Sequence, residues 1–319
     1  MPNAPEKLFL AAPRGYCAGV DRAVQTVERA LELYGPPVYV RKEIVHNKLV
    51  VEQLAERGAI FVEQESEVPE GETVVFSAHG VSPAVHANAE QRGLQTIDAT
   101  CPLVTKVHVE AKKFAADGYT IVLVGHEGHE EVEGTMGEAP EHIVLIETEE
   151  DVDRLEVDDP TRIAYISQTT LSVDETKAII ARLREKFPQI VGPRTDDICY
   201  ATTNRQAAVR QMADQCDLVL VIGSKNSSNS NRLVEVARAH GAESHLIDNE
   251  TQVREEWLEG KRVVGISSGA SAPEELVQRL VEFFRARGTT DVSEFEVVQE
   301  DVRFMLPKEI RKALAAAGA

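Results

Sequence analysis

Short runs of Val, Ile and Leu alternate along the chain with longer segments in which apolar residues recur every three or four positions. This recurrence matches the 3.6-residue period of a helix that buries one face. The recurring positions are Val20, Ala23, Val24, Val27 and Leu31 in one segment and Val104, Val107, Ala111 and Phe114 in another. Aliphatic runs of strand length between such helices predict parallel sheets covered by helices.

The same pattern is repeated around three cysteines. Cys17, Cys101 and Cys199 each follow a short extended segment and precede a predicted amphipathic helix, and successive cysteines are 84 and 98 positions apart. After each helix come two more apolar runs, and each of these ends in a polar loop. A repeat of this length indicates a domain rather than a solenoid unit. Chance similarity between ordinary βα units is the alternative.

We therefore predict an α/β fold of three similar small domains with mostly parallel sheets, at residues 1–98, 99–193 and 194–319. Ligands of such sheets bind beyond the carboxyl ends of the strands, where the polar loops are expected. Three domains in a pseudo-threefold arrangement would bring three cysteines and six polar loops to one central cavity.

The composition narrows the class of protein. The chain has 319 residues, 43% of them hydrophobic and 27% charged, which is typical of a globular protein with more than one core. No apolar run approaches the roughly 20 residues of a membrane helix, and no signal peptide is recognisable at the start, so we expect a cytoplasmic protein. The net charge of −19 and the lack of a basic stripe argue against a nucleic-acid binder.

Three cysteines far apart in the sequence suit a metal site with three protein ligands and one open position. Thiolates select zinc or an iron–sulfur cluster, and the residues alone leave both open. A helix N-terminus beside each cysteine would stabilise the thiolate. Cys216 differs, because it extends the apolar stripe of Val209, Met212 and Ala213, and we predict a core thiol there.

The polar loops supply His, Ser, Thr and Asn side chains together with backbone N–H groups, a combination that suits a phosphate or diphosphate. Within one loop, His126 and His129 have a spacing that does not fit the HExxH zinc site. Glu131 lies two residues after His129 and could pass a proton to a substrate, although a solvated glutamate is the alternative. No GxGxxG or GxxxxGK[ST] motif is present, so a reductase would need electrons from another protein.

These motifs resemble the 4-hydroxy-3-methylbut-2-enyl diphosphate reductase family, also called the LytB family, which provides the last enzyme of the non-mevalonate isoprenoid pathway. The resemblance runs from about Arg14 to Glu274. The segments that carry it are RGYCAGVDRAV, EIVHNKLVV, VVFSAHGVSP, DATCPLVTKVH, GHEGHEEVEGTMG, SQTTLSVDET, DDICYATTNRQ, GSKNSSNSNRL and SSGASAPE.

The resemblance implies an oxidoreductase with one [4Fe–4S] cluster, held by Cys17, Cys101 and Cys199, whose free iron binds the substrate hydroxyl. It implies that Glu131 and Thr169 contact the hydroxyl end, with Thr170 adjacent, and that Glu131 directs the proton with which the hydroxyl leaves as water. The residues implied to hold the diphosphate are His46, His79, His129, Ser227, Ser228, Asn229 and Ser271.

Reduction by two electrons and protonation at either end of the allyl fragment would then give isopentenyl and dimethylallyl diphosphate. Family members take their electrons from ferredoxin or flavodoxin. We expect a monomer, because one chain would enclose the whole site. Three other classes stay open: a quinolinate-synthase-like iron–sulfur enzyme, a non-catalytic iron–sulfur sensor and a thiolate-zinc hydrolase.

Overall fold

A computed structural model describes residues 4–318 of the chain. Within these residues the strands form three parallel sheets, of five, four and three strands. The predicted α/β class with parallel sheets is therefore confirmed. No helix between residues 4 and 318 is both long and apolar enough to span a membrane.

The five-stranded sheet has the strand order β10-β9-β11-β1-β12, and all of its pairings are parallel. Its strands are β1 (Lys7–Ala12), β9 (Leu218–Ile222), β10 (Glu243–Ile247), β11 (Val263–Ser268) and β12 (Asp291–Glu296). The interior strand β9 is buried throughout, as expected for a continuous aliphatic run covered on both faces.

The four-stranded sheet has the order β3-β2-β4-β5, and the three-stranded sheet has the order β7-β6-β8. The strands of the first are β2 (Val38–Arg41), β3 (Ala59–Val62), β4 (Thr73–Phe76) and β5 (Gln95–Asp98). The strands of the second are β6 (Thr120–Val124), β7 (Ile143–Ile146) and β8 (Ile163–Ser167).

The helices confirm the predicted apolar faces. Ala23 and Val27 are buried in α1, and Val104, Val107 and Ala111 are buried in α4. In residues 4–318 the α-helices are α1 (Ala18–Tyr34), α2 (Lys48–Glu56), α3 (Pro83–Gln91), α4 (Pro102–Ala116), α5 (Glu130–Met136), α6 (Glu149–Arg154), α7 (Val173–Lys186), α8 (Tyr200–Ala213), α9 (Ser228–Ala239), α10 (Glu255–Leu258), α11 (Glu274–Arg285) and α12 (Lys308–Ala317).

The chain forms two compact units. The first unit comprises residues 1–18, 46–50 and 200–303 and contains the five-stranded sheet. The second unit comprises residues 19–45, 51–199 and 304–319 and contains the other two sheets. The predicted division into three domains stays a prediction, and its outer bounds, residues 1 and 319, lie outside the described residues.

Among the segments that lead to the three cysteines, β1 pairs with strands outside its predicted domain. β1, which leads to Cys17, pairs with β11 and β12, although the predicted boundaries place it in the domain of residues 1–98. β5, which leads to Cys101, pairs with β4, and Val191 ahead of Cys199 forms a bridge to Ala164 of β8. The repeat predicts the order of elements, but the hydrogen-bonding partner of a strand depends on contacts far away in the sequence.

Candidate active site

The polar loops follow the carboxyl ends of the parallel strands, as predicted. The candidate residues fall into two groups, one in each compact unit. Those of the first unit are Cys17, His46, Ser227, Ser228, Asn229 and Ser271. Those of the second unit are His79, Cys101, His129, Glu131, Thr169, Thr170 and Cys199.

Glu131 is bound directly to Thr169 in the second unit. The Thr169 backbone N–H donates to Glu131 Oε1 at 2.7 Å, and the Thr169 hydroxyl donates to Oε2 at 3.0 Å. Glu131 is 2% exposed and Thr169 is 4% exposed. The glutamate is therefore a buried, oriented acid at the end of β8, and the alternative of a solvated glutamate is wrong.

His79 is oriented by a carboxylate in the same unit. Its Nδ1 lies 3.0 Å from Glu130 Oε2 and 3.3 Å from the Ser77 hydroxyl. A carboxylate can only accept, so Nδ1 of His79 carries the hydrogen of the bond to Glu130. The His79 and His129 rings pack edge to face with their centroids 5.9 Å apart.

His129 is the N-terminal cap of α5, and its Nδ1 accepts a hydrogen bond from the Glu131 backbone N–H at 3.1 Å. An accepting Nδ1 leaves Nε2 as the protonated nitrogen of the neutral ring, and a protonated ring nitrogen is a hydrogen-bond donor. Thr170 follows Thr169 in the loop after β8, and its hydroxyl accepts a hydrogen bond from Gln168 Nε2 at 3.1 Å.

In the first unit the N-terminus of α9 forms a cluster of hydroxyl and amide groups. Ser227 caps the helix, and its Oγ accepts from the Ser230 backbone N–H at 3.3 Å. Asn229 Oδ1 accepts from the Ala270 N–H at 2.8 Å, which fixes the loop after β11 against this helix start. Ser228 is the first residue of the helix, where backbone N–H groups point out of the helix towards an anion.

His46 joins this cluster through two contacts. The Ser271 hydroxyl donates to the His46 carbonyl oxygen at 2.9 Å. Asn226 Nδ2 lies 3.2 Å from His46 Nδ1, and His46 is 9% exposed. The first unit therefore brings a buried imidazole and the serine-rich start of α9 together, a combination that suits a phosphate group.

The three cysteines have one and the same backbone environment. Each cysteine N–H donates to a carbonyl that lies two residues beyond the end of a parallel strand. The three bonds are Cys17 to Ala270 after β11 (3.1 Å), Cys101 to Ala78 after β4 (3.0 Å) and Cys199 to Thr169 after β8 (3.0 Å). Each cysteine also stands at the start of a helix, namely α1, α4 and α8.

The donor set fits an iron–sulfur cluster. In residues 4–318 no cysteine takes part in a disulfide, and Cys17, Cys101 and Cys199 are each partly exposed at a helix N-terminus, where a thiolate is stabilised. Cys216 packs beside Met212 in an apolar cluster, as predicted, and burial raises the pKa of its thiol to about 12. It is therefore held as an unreactive thiol, unlike the three loop cysteines.

Sequence reasoning missed Glu130, Gln168 and Asn226. Glu130 had no predicted role, yet its carboxylate lies 3.0 Å from Nδ1 of His79. Gln168 accepts from the His126 backbone N–H at 3.1 Å and so joins the loops after β6 and β8. Their position inside the polar loops was the only available signal, since their partners are distant in sequence.

Comparison with known proteins gives concordant results. The model of the family described as "LytB protein" matches residues 8–285. A protein of Nocardia farcinica named 4-hydroxy-3-methylbut-2-enyl diphosphate reductase is 60% identical over 97% of this chain and 92% of its own length. A protein of the same name from Streptomyces avermitilis is 58% identical over 99% of this chain and 94% of its own length.

Two solved structures of proteins named as this reductase are also similar to the chain. The E-1-hydroxy-2-methyl-but-2-enyl-4-diphosphate reductase of Plasmodium falciparum superposes with a TM-score of 0.96 at 37% identity, over 99% of this chain and all of that one. A second structure, described as the terminal enzyme of the non-mevalonate pathway, has a TM-score of 0.63 at 31% identity, over 88% of this chain and 99% of that one.

Proposed function

Since this chain belongs to the LytB family, we propose that it reduces (E)-4-hydroxy-3-methylbut-2-enyl diphosphate, the reaction for which its relatives are named. The proposed products are isopentenyl and dimethylallyl diphosphate. Two electrons and two protons convert the allylic alcohol into the alkene and one water. The chain acts in the last step of the non-mevalonate pathway.

One observation carries the assignment of roles. Thr169 joins a buried acid to a cysteine loop, because its N–H and hydroxyl bind Glu131 while its carbonyl accepts from the Cys199 N–H. The proposed proton donor and the backbone of a proposed cluster ligand therefore both bind Thr169. This is the arrangement that removal of a hydroxyl as water requires, since the leaving oxygen must be protonated while electrons arrive.

Cys17, Cys101 and Cys199 would hold one [4Fe–4S] cluster. Such a cluster, when bound, would supply the electrons. Its one iron that has no cysteine ligand would act as a Lewis acid towards the hydroxyl. Glu131 holds the proton for the departing hydroxyl, and Thr169 fixes the carboxyl by its N–H and hydroxyl. Thr170 lies beside them.

The diphosphate would be bound by neutral hydrogen-bond donors and by histidines, whose charge depends on pH, rather than by a lysine cluster. Nε2 of His129 and the backbone N–H groups at the start of α9 are suited to its oxygens. The other proposed ligands are His46, His79, Ser227, Ser228, Asn229 and Ser271, of which His79 is oriented by Glu130.

We further propose that ferredoxin or flavodoxin donates the electrons, in agreement with the lack of nucleotide-binding motifs in the sequence. We propose a cytoplasmic enzyme, in agreement with these donors, and a monomer, because a single chain supplies all the proposed site residues.

An anaerobic turnover assay tests the reaction. Purified protein is mixed with a reduced viologen dye and the hydroxymethylbutenyl diphosphate, and the products are identified. Substrate-dependent dye oxidation that yields both five-carbon diphosphates is expected. No oxidation, in a sample shown to hold about four irons and four sulfides per chain as a [4Fe–4S] cluster requires, would assign this chain a different iron–sulfur chemistry.

The cysteine assignment has its own test. We expect Cys17→Ser, Cys101→Ser and Cys199→Ser each to lose bound iron and turnover, because each removes one of three thiolate ligands. Cys216→Ser is the matched control and should keep both, since the Cys216 side chain is partly buried against an apolar cluster. Iron and acid-labile sulfide analysis reads the result, and a Cys216→Ser protein without iron would contradict the assignment.

A further inference from the structure

A basic side chain follows each of the three cysteines by five or six residues. Arg22 lies in α1 after Cys17, Lys106 in α4 after Cys101, and Arg205 in α8 after Cys199. We call these three residues the helix cations. Each donates to the loop that leads to another cysteine.

Arg22 binds the loop that precedes Cys101. Its guanidinium donates to the carbonyl oxygens of Ala99 at 2.9 Å and Thr100 at 3.0 Å. The Thr100 carbonyl belongs to the same planar peptide unit as the Cys101 N–H, which donates to the Ala78 carbonyl. The peptide that carries Cys101 is therefore held at both ends.

Lys106 binds the loop that precedes Cys199. Its ammonium donates to the carbonyls of Thr195 at 2.7 Å and Asp196 at 3.0 Å and to Asp197 Oδ1 at 2.9 Å. The other oxygen of Asp197 accepts from the Ser167 N–H at 2.9 Å, at the end of β8. The loop before Cys199 is therefore hydrogen-bonded both to Lys106 and to the end of β8.

Arg205 binds the loop that precedes Cys17. Its side chain is fully buried, and its Nη2 donates to the Gly15 carbonyl at 2.8 Å. Its charge is balanced by Glu300, whose Oε1 lies 3.1 Å from Nη1. Burial of an arginine costs free energy unless its charge is paired. The bonds of Arg205 to Gly15 and Glu300 therefore offset the cost of burying its side chain.

The contacts follow a closed order along the chain. The helix after Cys17 holds the loop of Cys101, the helix after Cys101 holds the loop of Cys199, and the helix after Cys199 holds the loop of Cys17. We propose that the helix cations Arg22, Lys106 and Arg205 are positioning residues, each of which sets the cysteine loop of another repeat for cluster binding. This inference rests on the proposed role of the three cysteines as cluster ligands.

The physical reason lies in the coordination. Three thiolates that come from distant segments bind one cluster tightly only if each loop is held in place before the cluster binds. A bond from a charged donor to a loop carbonyl is stronger than a neutral one. Residues that orient metal ligands from outside commonly change metal affinity by about 10- to 100-fold when they are replaced.

Lys106→Met gives the sharpest test, because methionine keeps much of the side-chain length and removes the charge and all three donated bonds. Amide hydrogen exchange of the anaerobic holoenzyme is measured in peptides that cover residues 98–101 and 195–199. We expect exchange at 195–199 to become at least about tenfold faster, because the loss of even one of the three charged hydrogen bonds shifts a local opening equilibrium by about that factor. Exchange at 98–101, in the loop before the helix that carries Lys106, should stay unchanged.

The same samples are then exposed to an iron chelator. We expect Lys106→Met to release iron about 10- to 100-fold faster than the wild type, and Lys106→Arg to restore retention. Lys113→Met is the matched control, since Lys113 lies exposed near the end of the same helix. Arg22→Met, with Arg29→Met as its control, should instead loosen residues 98–101.

The outcomes separate the two proposals. A wild-type protein without a cluster contradicts the proposed function. A wild-type protein that holds its cluster, with Lys106→Met indistinguishable from Lys113→Met in exchange and iron release, overturns the positioning role. Equal acceleration at 98–101 and 195–199 would also overturn it, because it would indicate general loosening of the second unit.

Discussion

At the scale of single residues, the site depends on how each polar atom is oriented. Both oxygens of Glu131 accept hydrogen bonds from Thr169, which holds the carboxyl group at the end of β8. Glu130, its neighbour, orients His79 instead. Two consecutive glutamates therefore have different tasks, and the direction in which each side chain points decides which task it has.

We expect Glu131→Gln to lower turnover by about two to four powers of ten, because general acid catalysis contributes on that scale. The amide is nearly isosteric, so bound iron and substrate affinity should be retained. The turnover number, the iron content and the dissociation constant of the substrate are measured for the variant.

Glu133→Gln is the control for this variant, since Glu133 lies exposed on the same short helix. Its turnover should equal that of the wild type. If Glu131→Gln also turned over at the wild-type rate, Glu131 would have no part in proton transfer.

At the scale of elements, the strand ends and helix starts pack so closely that side-chain size matters. The start of α9 lies directly against the loop after β11. A Cβ atom on Gly269 would be 2.0 Å from the Ser230 hydroxyl oxygen and 3.1 Å from the Ser230 Cβ. Glycine at this position therefore allows the serine-rich helix start to approach the loop that carries Ala270 and Ser271.

Gly269→Ala is expected to destabilise the protein by about 1–3 kcal/mol, the usual cost of overpacking a closely packed site. Thermal or denaturant unfolding measures the loss. The double variant Gly269→Ala/Ser230→Ala should lose less than the sum of the two single variants, because the clashing hydroxyl is gone. Strict additivity would show that Ser230 is not the atom that excludes a side chain at position 269.

At the scale of the whole molecule, the net charge and the local pairs of charged residues have different effects. The net charge of −19 favours solubility. Near the Cys199 loop, in contrast, two carboxylates are held together. Burial, a hydrogen bond to Asp197 and the charge of Asp197 raise the pKa of Glu110 from 4.5 to about 7.

This pKa predicts how stability depends on pH. Between pH 4.5 and about 7 the folded protein keeps a proton on Glu110 that the unfolded chain has released, so the contribution of Glu110 to stability falls as pH rises through this window. Glu110→Gln carries no titrating group there. The melting temperature of the wild type relative to Glu110→Gln should therefore decrease between about pH 5 and about pH 8.

Differential scanning calorimetry of both proteins at the two pH values, under anaerobic conditions, measures this difference. Glu138 provides a matched control, since it is also a buried glutamate of the second unit but pairs with His108 and Lys112. A difference between wild type and Glu110→Gln that does not change with pH would mean that Glu110 titrates normally in the folded protein.

The sequence by itself determined the local structure and the chemistry. The apolar periods of α1 and α4 predicted the buried faces, because a helix buries one side whatever it packs against. The positions of Cys17, Cys101 and Cys199, each between an extended segment and a helix, predicted three equivalent loops. Those loops are equivalent in their backbone hydrogen bonds. The residue types of the polar loops predicted a phosphate ligand.

Only the tertiary structure decided which distant segments meet. Three contacts join residues that are far apart in the chain. β1 pairs with β11 and β12 rather than with its sequence neighbours, Glu131 is buried against Thr169, and Lys106 donates to the Cys199 loop. Local periodicity records which face of an element is apolar. It carries no record of the partner, because any apolar surface or carbonyl of suitable geometry satisfies the same local pattern.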